Sequence, residues 1–409
     1  MLCAGFLSTN SPFNPSWLHE RNMLVAAPAA VANQTPRLVE PDLGLVKDLA
    51  AFGARDFKKC YQCATCSVSC SLSPDQNPFP RKEMLWAKWG LKDRLLKDVD
   101  IWTCYYCGEC STRCPRGAEP GETMMALRRY LTTEYDWTGL SRRFYLSEAW
   151  EIGAIAAVGL FVVALFYFFH GPMLTDRVSV GTFAPVVWVE LGDWIMALIL
   201  STFLLSNAYR MYRHIMGEQQ IPLSVYIRQA PTFIWNFATQ KRWRDCGQGG
   251  EREQDRSHWL KHFLLVTGYM TMMTLIIVFL RWFQTDEVHP IYHPTRLLGY
   301  YATAVLLYVT VDMMIGRLRK DNETHKFSEF SDWLFLVLLF LTTLTGILMH
   351  ALRLGGFPMA TYYSYVVHLA FAVPMLVVEV PFGKWAHLMY RPLALYLKAV
   401  KESAVEMKA

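Results

Sequence analysis

Two runs of four cysteines constrain the fold of this chain more than any other sequence feature. The runs are Cys60-x2-Cys63-x2-Cys66-x3-Cys70 and Cys104-x2-Cys107-x2-Cys110-x3-Cys114-Pro115. In a run of this spacing the first three thiolates bind one [4Fe–4S] cluster, whereas the fourth serves the other cluster. The spacing therefore predicts two ligand sets, which are Cys60, Cys63, Cys66 and Cys114 for the first cluster and Cys104, Cys107, Cys110 and Cys70 for the second.

Zinc is the alternative metal for these cysteines. A structural zinc site needs four thiolates in one tetrahedron, and two Cys-x2-Cys pairs would provide them. Eight cysteines in two matching runs exceed that need, and Pro115 follows the second run as it does in iron–sulfur runs. The first run is followed by Ser71 instead. The other two cysteines, Cys3 and Cys246, lie far apart, so cysteine usage indicates metal binding in a reducing compartment rather than a disulfide framework.

Short helical patterns surround the two runs. Residues 41–58 and 123–135 are typical of helices, and apolar residues recur at helical spacing between the runs. We therefore predict an all-α protein that begins with a two-cluster, α-helical ferredoxin domain over residues 40–145. Residues 1–39 are rich in proline, asparagine and alanine, and we expect a mobile tail there.

Beyond residue 146 the chain is predicted to be a transmembrane bundle. Six apolar segments are long enough to cross about 30 Å of hydrocarbon at about 1.5 Å per residue. They cover residues 150–170, 184–210, 262–282, 297–316, 330–352 and 361–383. We expect a six-helix bundle over residues 146–390, with a loop at 211–257 and a C-terminal tail at 391–409.

Lysine and arginine concentrate in that loop, in the turn after the fourth segment and in the tail. The positive-inside rule then places the ferredoxin domain and the C-terminus on the cytoplasmic side of the inner membrane. The same loops account for the net charge of +5, so we expect no nucleic-acid partner. Residues 225–237 are predicted to form an interfacial amphipathic helix or a dock for the ferredoxin domain.

Four histidines lie at membrane depth, namely His262, His350, His368 and His387. A buried imidazole is costly in hydrocarbon, so each is a functional candidate. One explanation is a helix–helix hydrogen bond, and the other is axial ligation of b-type haem by imidazoles from two facing helices.

The spacing of His368 and His387 favours haem ligation. Nineteen residues span roughly 28 Å of helix, which places one histidine near each face of the bilayer. Eighteen residues would be five whole helical turns, so a separation of nineteen rotates the second side chain by about 100° relative to the first. A kink at the intervening Pro374 and Pro381 could correct this rotation.

Partners for these two histidines follow from depth. His262 opens the third segment at the level of His387, so we pair these two as ligands of an inner haem. For the outer haem at His368 the second ligand is His350 or Met272.

These residues resemble known families. The cysteine half resembles the C subunit of heterodisulfide reductases. The membrane half is similar to their cytochrome subunit and to the gamma subunit of respiratory nitrate reductase, a likeness carried by His368-Leu-Ala-Phe and Val380-Pro-Phe-Gly-Lys-Trp-Ala-His387. The two halves in this order resemble the C-subunit family of quinone-interacting membrane-bound oxidoreductase (Qmo) complexes.

The resemblance implies two b haems, a menaquinone site, flavoprotein partners (subunits A and B) and electron exchange with adenylylsulfate (APS) reductase in dissimilatory sulfur metabolism. In the family the quinone pocket lies near the outer haem, beside a basic residue that starts a span. His293 and Arg296 occupy that place here, just after His289. An ordinary interfacial anchor is the alternative role for Arg296.

Two other functions compete with this one. A heterodisulfide- or succinate-type quinone reductase could use the same subunit, although the chain has no adjacent cysteines for disulfide chemistry of its own. A transporter with a regulatory ferredoxin domain would need buried acidic residues in several spans. Glu190, Asp193, Asp312 and Glu379 lie near or within spans, and they form no evident relay.

Overall fold

The computed structural model describes residues 39–240, 252–320 and 323–407. Residues from Pro41 onward form one compact unit. The described residues are folded into helices, turns and irregular segments, with no strand among them. The predicted tail at 1–39, apart from Val39, lies outside the described residues, as do Cys3 and Cys246.

The first part of the compact unit, residues 41–146, is called the cysteine domain below. Its α-helices are α1 (Leu43–Ala51), α2 (Thr65–Val68), α3 (Arg81–Lys88), α4 (Lys92–Leu96), α5 (Asp100–Thr103), α6 (Glu109–Thr112), α7 (Pro120–Tyr135) and α8 (Leu140–Leu146). Helix α7 is buried along nearly its whole length, and α1, α3, α5, α6 and α8 pack on it. The predicted helix at 41–58 instead ends at Ala51, because Gly53 takes a φ of +112°.

Within the described residues six helices are long and apolar enough to cross a membrane, as many as the sequence predicts. They are α9 (Glu148–Phe169), α11 (Val186–Met216), α13 (Arg252–Ile277), α15 (Pro294–Arg319), α17 (Phe330–Leu354) and α18 (Pro358–Phe382). The shorter helices of this part are α10 (Val180–Phe183), α12 (Leu223–Thr239), α14 (Leu280–Phe283), α16 (Glu323–Lys326) and α19 (His387–Glu406). The third predicted segment thus ends about five residues early, at Ile277, and α14 follows as a separate turn.

Helix α18 is the central element of the bundle. It packs on α17, α9 and α11, and half of its apolar window is buried, a larger share than in any other of the six spans. Helices α13, α15 and α17 pack side by side along another part of the bundle. This arrangement places the histidines of α13, α17 and α18 in the interior.

The two histidines expected on one helix lie on two. Helix α18, which carries His368, ends at Phe382, and a 3-10 turn (Lys384–Ala386) leads into α19, which begins at His387. A Cβ at Gly383 would lie 2.9 Å from the Glu379 Cα, a backbone atom that cannot move aside cheaply, so the break favours glycine at this position. Helix α18 contains Pro374 and ends one residue after Pro381, and this helix end reorients His387.

Residues beyond the break continue as α19, so the predicted boundary at residue 390 falls inside a helix. This helix packs on α5 of the cysteine domain and on α12. Tyr390 meets Trp102 with ring centroids 5.2 Å apart, and Lys398 forms an ion pair with Asp100 at 2.7 Å. The predicted interfacial helix, observed as α12, thus packs chiefly on the C-terminal helix.

A buried ion-pair group joins the cysteine domain to the bundle. Arg129 on α7 contacts Asp332 on α17 at 2.7 Å and donates a second hydrogen bond to the Phe52 carbonyl oxygen at 2.8 Å. Lys384 pairs with the other carboxylate oxygen of Asp332. Because all three groups are largely buried, each charge depends on the others for its solvation.

Removal of the Asp332 carboxylate, which both cations share, should therefore destabilise the folded protein. Asp332→Asn leaves Arg129 and Lys384 as buried cations, and we expect the free energy of unfolding to fall by about 3–5 kcal/mol. The control is Arg55→Gln, which breaks an exposed pair with Glu329 and should cost less than about 1 kcal/mol. Unfolding of the purified protein in detergent measures both, and equal small changes would contradict the role assigned to Asp332.

Candidate metal centres and the cavities beside them

The two cysteine runs adopt the same backbone path. Gln62 and Tyr106 hold matching places in the runs and take positive φ values of 66° and 62°. Two residues later Ala64 and Gly108 do the same, at 70° and 87°, and each starts a short helix, α2 or α6. Positive φ is uncommon for residues other than glycine, so its recurrence shows one loop conformation imposed twice.

Backbone amides in these loops point at the cysteine sulfurs. The Gln62 amide donates to Cys60 Sγ and the Tyr106 amide to Cys104 Sγ, both at 3.4 Å. The Ala118 amide donates to Cys114 Sγ at 3.3 Å. Such bonds favour thiolate over thiol and help to set the properties of a thiolate-bound cluster.

Cysteines of the two runs lie close enough to interact across the runs. Burial raises the pKa of Cys66 to about 11, and the neighbouring thiolates that raise it further are Cys60, Cys114 and Cys63. Burial likewise raises the pKa of Cys70 to about 12, and its thiolate neighbours are Cys104 and Cys107. The last cysteine of each run thus lies beside the other run, which is the arrangement that two shared clusters need.

The second group lies against the membrane bundle. The Cys104 carbonyl oxygen accepts hydrogen bonds from Arg128 on α7 and, at 3.1 Å, from Arg391 on α19. Burial lowers the pKa of Arg128 to about 9. Arg391 lies one helical turn after His387, so one short piece of α19 contacts the second cysteine run and carries a candidate haem ligand.

The structure brings His262 and His387 together across α13 and α19. Their ring centroids lie 6.2 Å apart. His262 Nδ1 is bonded to Gln240 Oε1 at 2.6 Å, and His387 Nδ1 to the Lys384 carbonyl oxygen. A hydrogen bond at Nδ1 fixes the orientation of the imidazole ring and leaves Nε2 as the nitrogen that could bind a metal.

A b-type haem fits this pair. Two imidazoles on opposite sides of one metal, with bonds of about 2.0 Å, have ring centroids roughly 6 Å apart. Burial lowers the pKa of His387 to about 3, which leaves the neutral imidazole that ligates.

A cavity beside the pair is strongly cationic. One carboxylate, Asp332, lines it against five cations, which are Arg128, Arg129, Arg317, Lys384 and Arg391. Positive charge in such excess would match the propionate groups of a haem. Tyr105 and Tyr106 of the second cysteine run line the same cavity, so the run and the histidine pair share one wall.

A larger cavity lies among α13, α15, α17 and α18. His368 and Met272 line it, and His368 Nδ1 is bonded to Thr345 Oγ1 at 3.1 Å. A Cβ at Gly346 would lie 3.1 Å from the His368 ring, so glycine makes room for this imidazole.

A chain of hydrogen bonds closes one end of this cavity. His350 Nε2 is bonded to the Tyr300 hydroxyl at 2.9 Å, and Arg296 donates to the same hydroxyl at 2.6 Å and to the His289 carbonyl oxygen at 2.5 Å. His289, Arg296, Tyr300 and His350 line the cavity, whereas His293 stacks on His289 with ring centroids 4.1 Å apart and is not part of the lining.

Sequence reasoning missed Tyr300 and treated His350 only as a haem candidate. A tyrosine in an apolar segment is typical of packing. The available signal was its position one turn after Arg296, on the same helical face.

Comparisons with known proteins cover the cysteine domain. A family model described as a 4Fe-4S dicluster domain matches residues 56–118. A protein of Archaeoglobus profundus, described as like the C subunit of heterodisulfide reductase, is 36% identical over 92 residues, which are 22% of this chain and 47% of that protein. No solved structure matches the chain significantly.

Methanogen proteins give similar matches. The C subunit of the H(2):CoB-CoM heterodisulfide,ferredoxin reductase of Methanothermobacter marburgensis is 36% identical over 69 residues, 17% of this chain and 37% of that protein. The C subunit of the ferredoxin:CoB-CoM heterodisulfide reductase of Methanosarcina acetivorans is 34% identical over 77 residues, 19% of this chain and 30% of that protein. The chain thus spans about half or less of these curated relatives. Its N-terminal part is related to the C subunit of heterodisulfide reductases, and the match supports iron–sulfur clusters there.

Serine substitutions test the crossed grouping of the cysteines. We expect Cys114→Ser to remove the same cluster signal as Cys66→Ser, and Cys70→Ser to remove the same signal as Cys110→Ser, because each loses one ligand of four. Electron paramagnetic resonance of the reduced protein, together with iron analysis, distinguishes the two signals. Cys246→Ser, outside both runs, is the control. If Cys114→Ser matched Cys110→Ser instead, each run would ligate its own cluster.

Proposed function

We propose that this chain is the membrane electron-transfer subunit of a quinone-dependent oxidoreductase complex. Two [4Fe–4S] clusters would be held by the two crossed cysteine groups, and two b haems by His262 with His387 and by His368 with a second ligand. When bound, these groups supply one-electron transfer between the membrane and the cysteine domain. The chain's own part is to position them, to tune them and to manage protons.

One observation carries this proposal: the second cysteine run and the histidine pair share a cavity wall. Arg391 contacts the Cys104 carbonyl oxygen, and His387 lies one turn before Arg391 on α19. Tyr105 lines the cavity together with both His262 and His387. A transporter would have no need to place an oriented imidazole pair beside a cluster-binding loop.

The larger cavity, which lies among α13, α15, α17 and α18 and is called the outer cavity below, supports the proposal of a quinone site. Oxidation of a quinol releases two protons and two electrons, so its hydroxyl groups need acceptors and a path for the protons. Arg296, Tyr300 and His350 form a continuous hydrogen-bonded chain at the cavity wall. The Arg296 guanidinium would also stabilise negative charge on a quinone oxygen. We propose menaquinone as the substrate.

The same hydrogen-bonded side chains affect the choice of the second ligand for the outer haem. Because His350 Nε2 is bonded to Tyr300, His350 fits the quinone site better than the haem. Met272 lines the cavity with His368, so we favour Met272 as the second ligand. A thioether ligand would raise the potential of that haem above that of the inner one.

Soluble flavoproteins would complete the complex. The named relatives are C subunits of reductases or are described as like them, and the lysine and arginine bias supports a cytoplasmic position for the cysteine domain. We propose flavoprotein partners of the Qmo A and B type and electron exchange with APS reductase. The second candidate is a heterodisulfide-type reductase, which the names of the relatives favour and in which disulfide chemistry would belong to a partner protein.

Substitution of the inner histidines tests the pairing. His262→Ala and His387→Ala should each remove the same haem, because either loss leaves the iron one axial ligand short. Redox-monitored absorption spectra identify which haem is lost, and His258→Ala, one turn before His262, is the control that should retain both. Loss of different haems in the two variants would contradict the pairing.

Substitution of the polar residues Arg296, Tyr300 and His293 tests the quinone site. We expect Arg296→Ala and Tyr300→Phe to slow haem reduction by a menaquinol analogue by about 10-fold or more, and His293→Ala to slow it less, with all cofactors retained. Arg281→Gln, in an exposed pair with Glu190, is the matched control. Unchanged kinetics in all variants would place the site elsewhere, near His258 and Lys384.

A further inference from the structure

We propose that the exposed side of the first cysteine run is the docking face for the soluble electron carrier, and that this carrier presents acidic side chains around an apolar centre. The inference rests on the proposed electron-transfer function and adds the place and the chemistry of the contact. The docking face consists of Lys58, Tyr61, Cys63, Val68, Lys88 and Arg116.

The two cysteine groups have different surroundings. The Cys104 carbonyl oxygen of the second group is bonded to Arg391 of the bundle-linked helix α19. In the first group the Cys60 carbonyl oxygen is bonded to Lys88 of the cysteine domain itself, at 2.6 Å. Each group has one exposed cysteine, Cys63 in the first and Cys107 in the second. The contact with α19 therefore distinguishes the groups, and the first group, bonded within its own domain, is the one assigned to a soluble partner. An exposed sulfur ligand shortens the path to a redox group brought against it.

The centre of the docking face is apolar. Val68, at the end of α2, is 82% exposed, and Tyr61 is 56% exposed, although both residue types are usually covered. They lie five residues after and two residues before Cys63. Apolar side chains exposed beside a redox centre and rimmed by polar groups are typical of a protein contact surface.

The rim of the docking face is cationic. The Arg116 guanidinium lies over the Tyr61 ring, 5.8 Å from its centroid. Lys88 reaches the Cys60 carbonyl oxygen, and Lys58 lies over the neighbouring Phe57 ring at 6.0 Å. The nearby acid Asp56 is paired with Lys59 at 2.9 Å, so the remaining charge is positive. Complementary charge on the partner would steer the encounter and fix its orientation.

Flavodoxin, a small acidic electron carrier, is the probe for this face. Its binding to the full-length protein in nanodiscs is measured by surface plasmon resonance at about 10 mM ionic strength, where surface charge is least screened. We expect Lys58→Gln with Arg116→Gln to raise the dissociation constant about 5- to 20-fold, and Val68→Glu to raise it similarly. Arg319→Gln, which neutralises an exposed cation at the end of α15, should leave it unchanged. Salt at about 0.5 M should remove the difference.

Two controls separate the possible failures. Cluster signals are recorded on every sample, and their absence from the unsubstituted protein would contradict the proposed function. Intact signals with flavodoxin binding that is the same in all variants would contradict the docking face alone. Loss of binding to anionic phosphatidylglycerol vesicles, with flavodoxin binding retained, would also overturn the proposal, because the face would then contact a membrane surface.

Discussion

The arrangement of this molecule depends on the turn at Gly383. Helix α18 ends at Phe382, and the chain re-enters as α19 through a turn in which a Cβ at residue 383 would lie 2.9 Å from the Glu379 Cα. The turn places His387 at the first residue of α19, opposite His262, and lets Arg391 reach the Cys104 carbonyl oxygen. The inner histidine pair and the second cysteine run are neighbours because of this one helix break.

The buried ion pairs reinforce the same junction. Asp332 is held between Arg129 of the cysteine domain and Lys384 of the turn after α18. Buried pairs of this kind contribute little net stability but impose a large cost when one member is missing, so they favour one docked geometry over others. A fixed geometry suits electron transfer, whose rate depends steeply on the distance between the redox groups.

The sequence predicts the features of this structure that local sequence decides, and it does not predict those that contacts in the folded protein decide. The six spans follow from length and apolarity, because hydrocarbon thickness leaves few alternatives, and the grouping of Cys114 with the first run follows from ligand spacing. The break at Gly383 could not be predicted in this way, since it depends on a contact with Glu379 that only the folded chain creates. Tyr300 and the helical C-terminus were missed for the same reason, because tertiary partners decide their roles.

The two cavities differ in a way that fits opposite tasks. The cavity beside His262 and His387 is lined by five cations and adjoins the second cysteine run, whereas the cavity at His368 is mostly apolar with scattered polar residues that include Arg296 and Tyr300. Charge excess suits a bound anionic group, and an apolar space with a few placed donors suits a lipid-soluble substrate. The two cavities thus differ in the chemistry of the ligand that each would favour.

The most direct test mixes the purified, oxidised protein anaerobically with a short-chain menaquinol analogue. Absorption spectroscopy follows b-type haem, and freeze-quenched electron paramagnetic resonance follows the clusters in the same reaction. The account predicts that haem bands appear, that the clusters are then reduced, and that cluster reduction is lost together with the inner haem in His387→Ala. A purified protein that contains clusters but no haem, or clusters that are reduced equally well without His387, would contradict it.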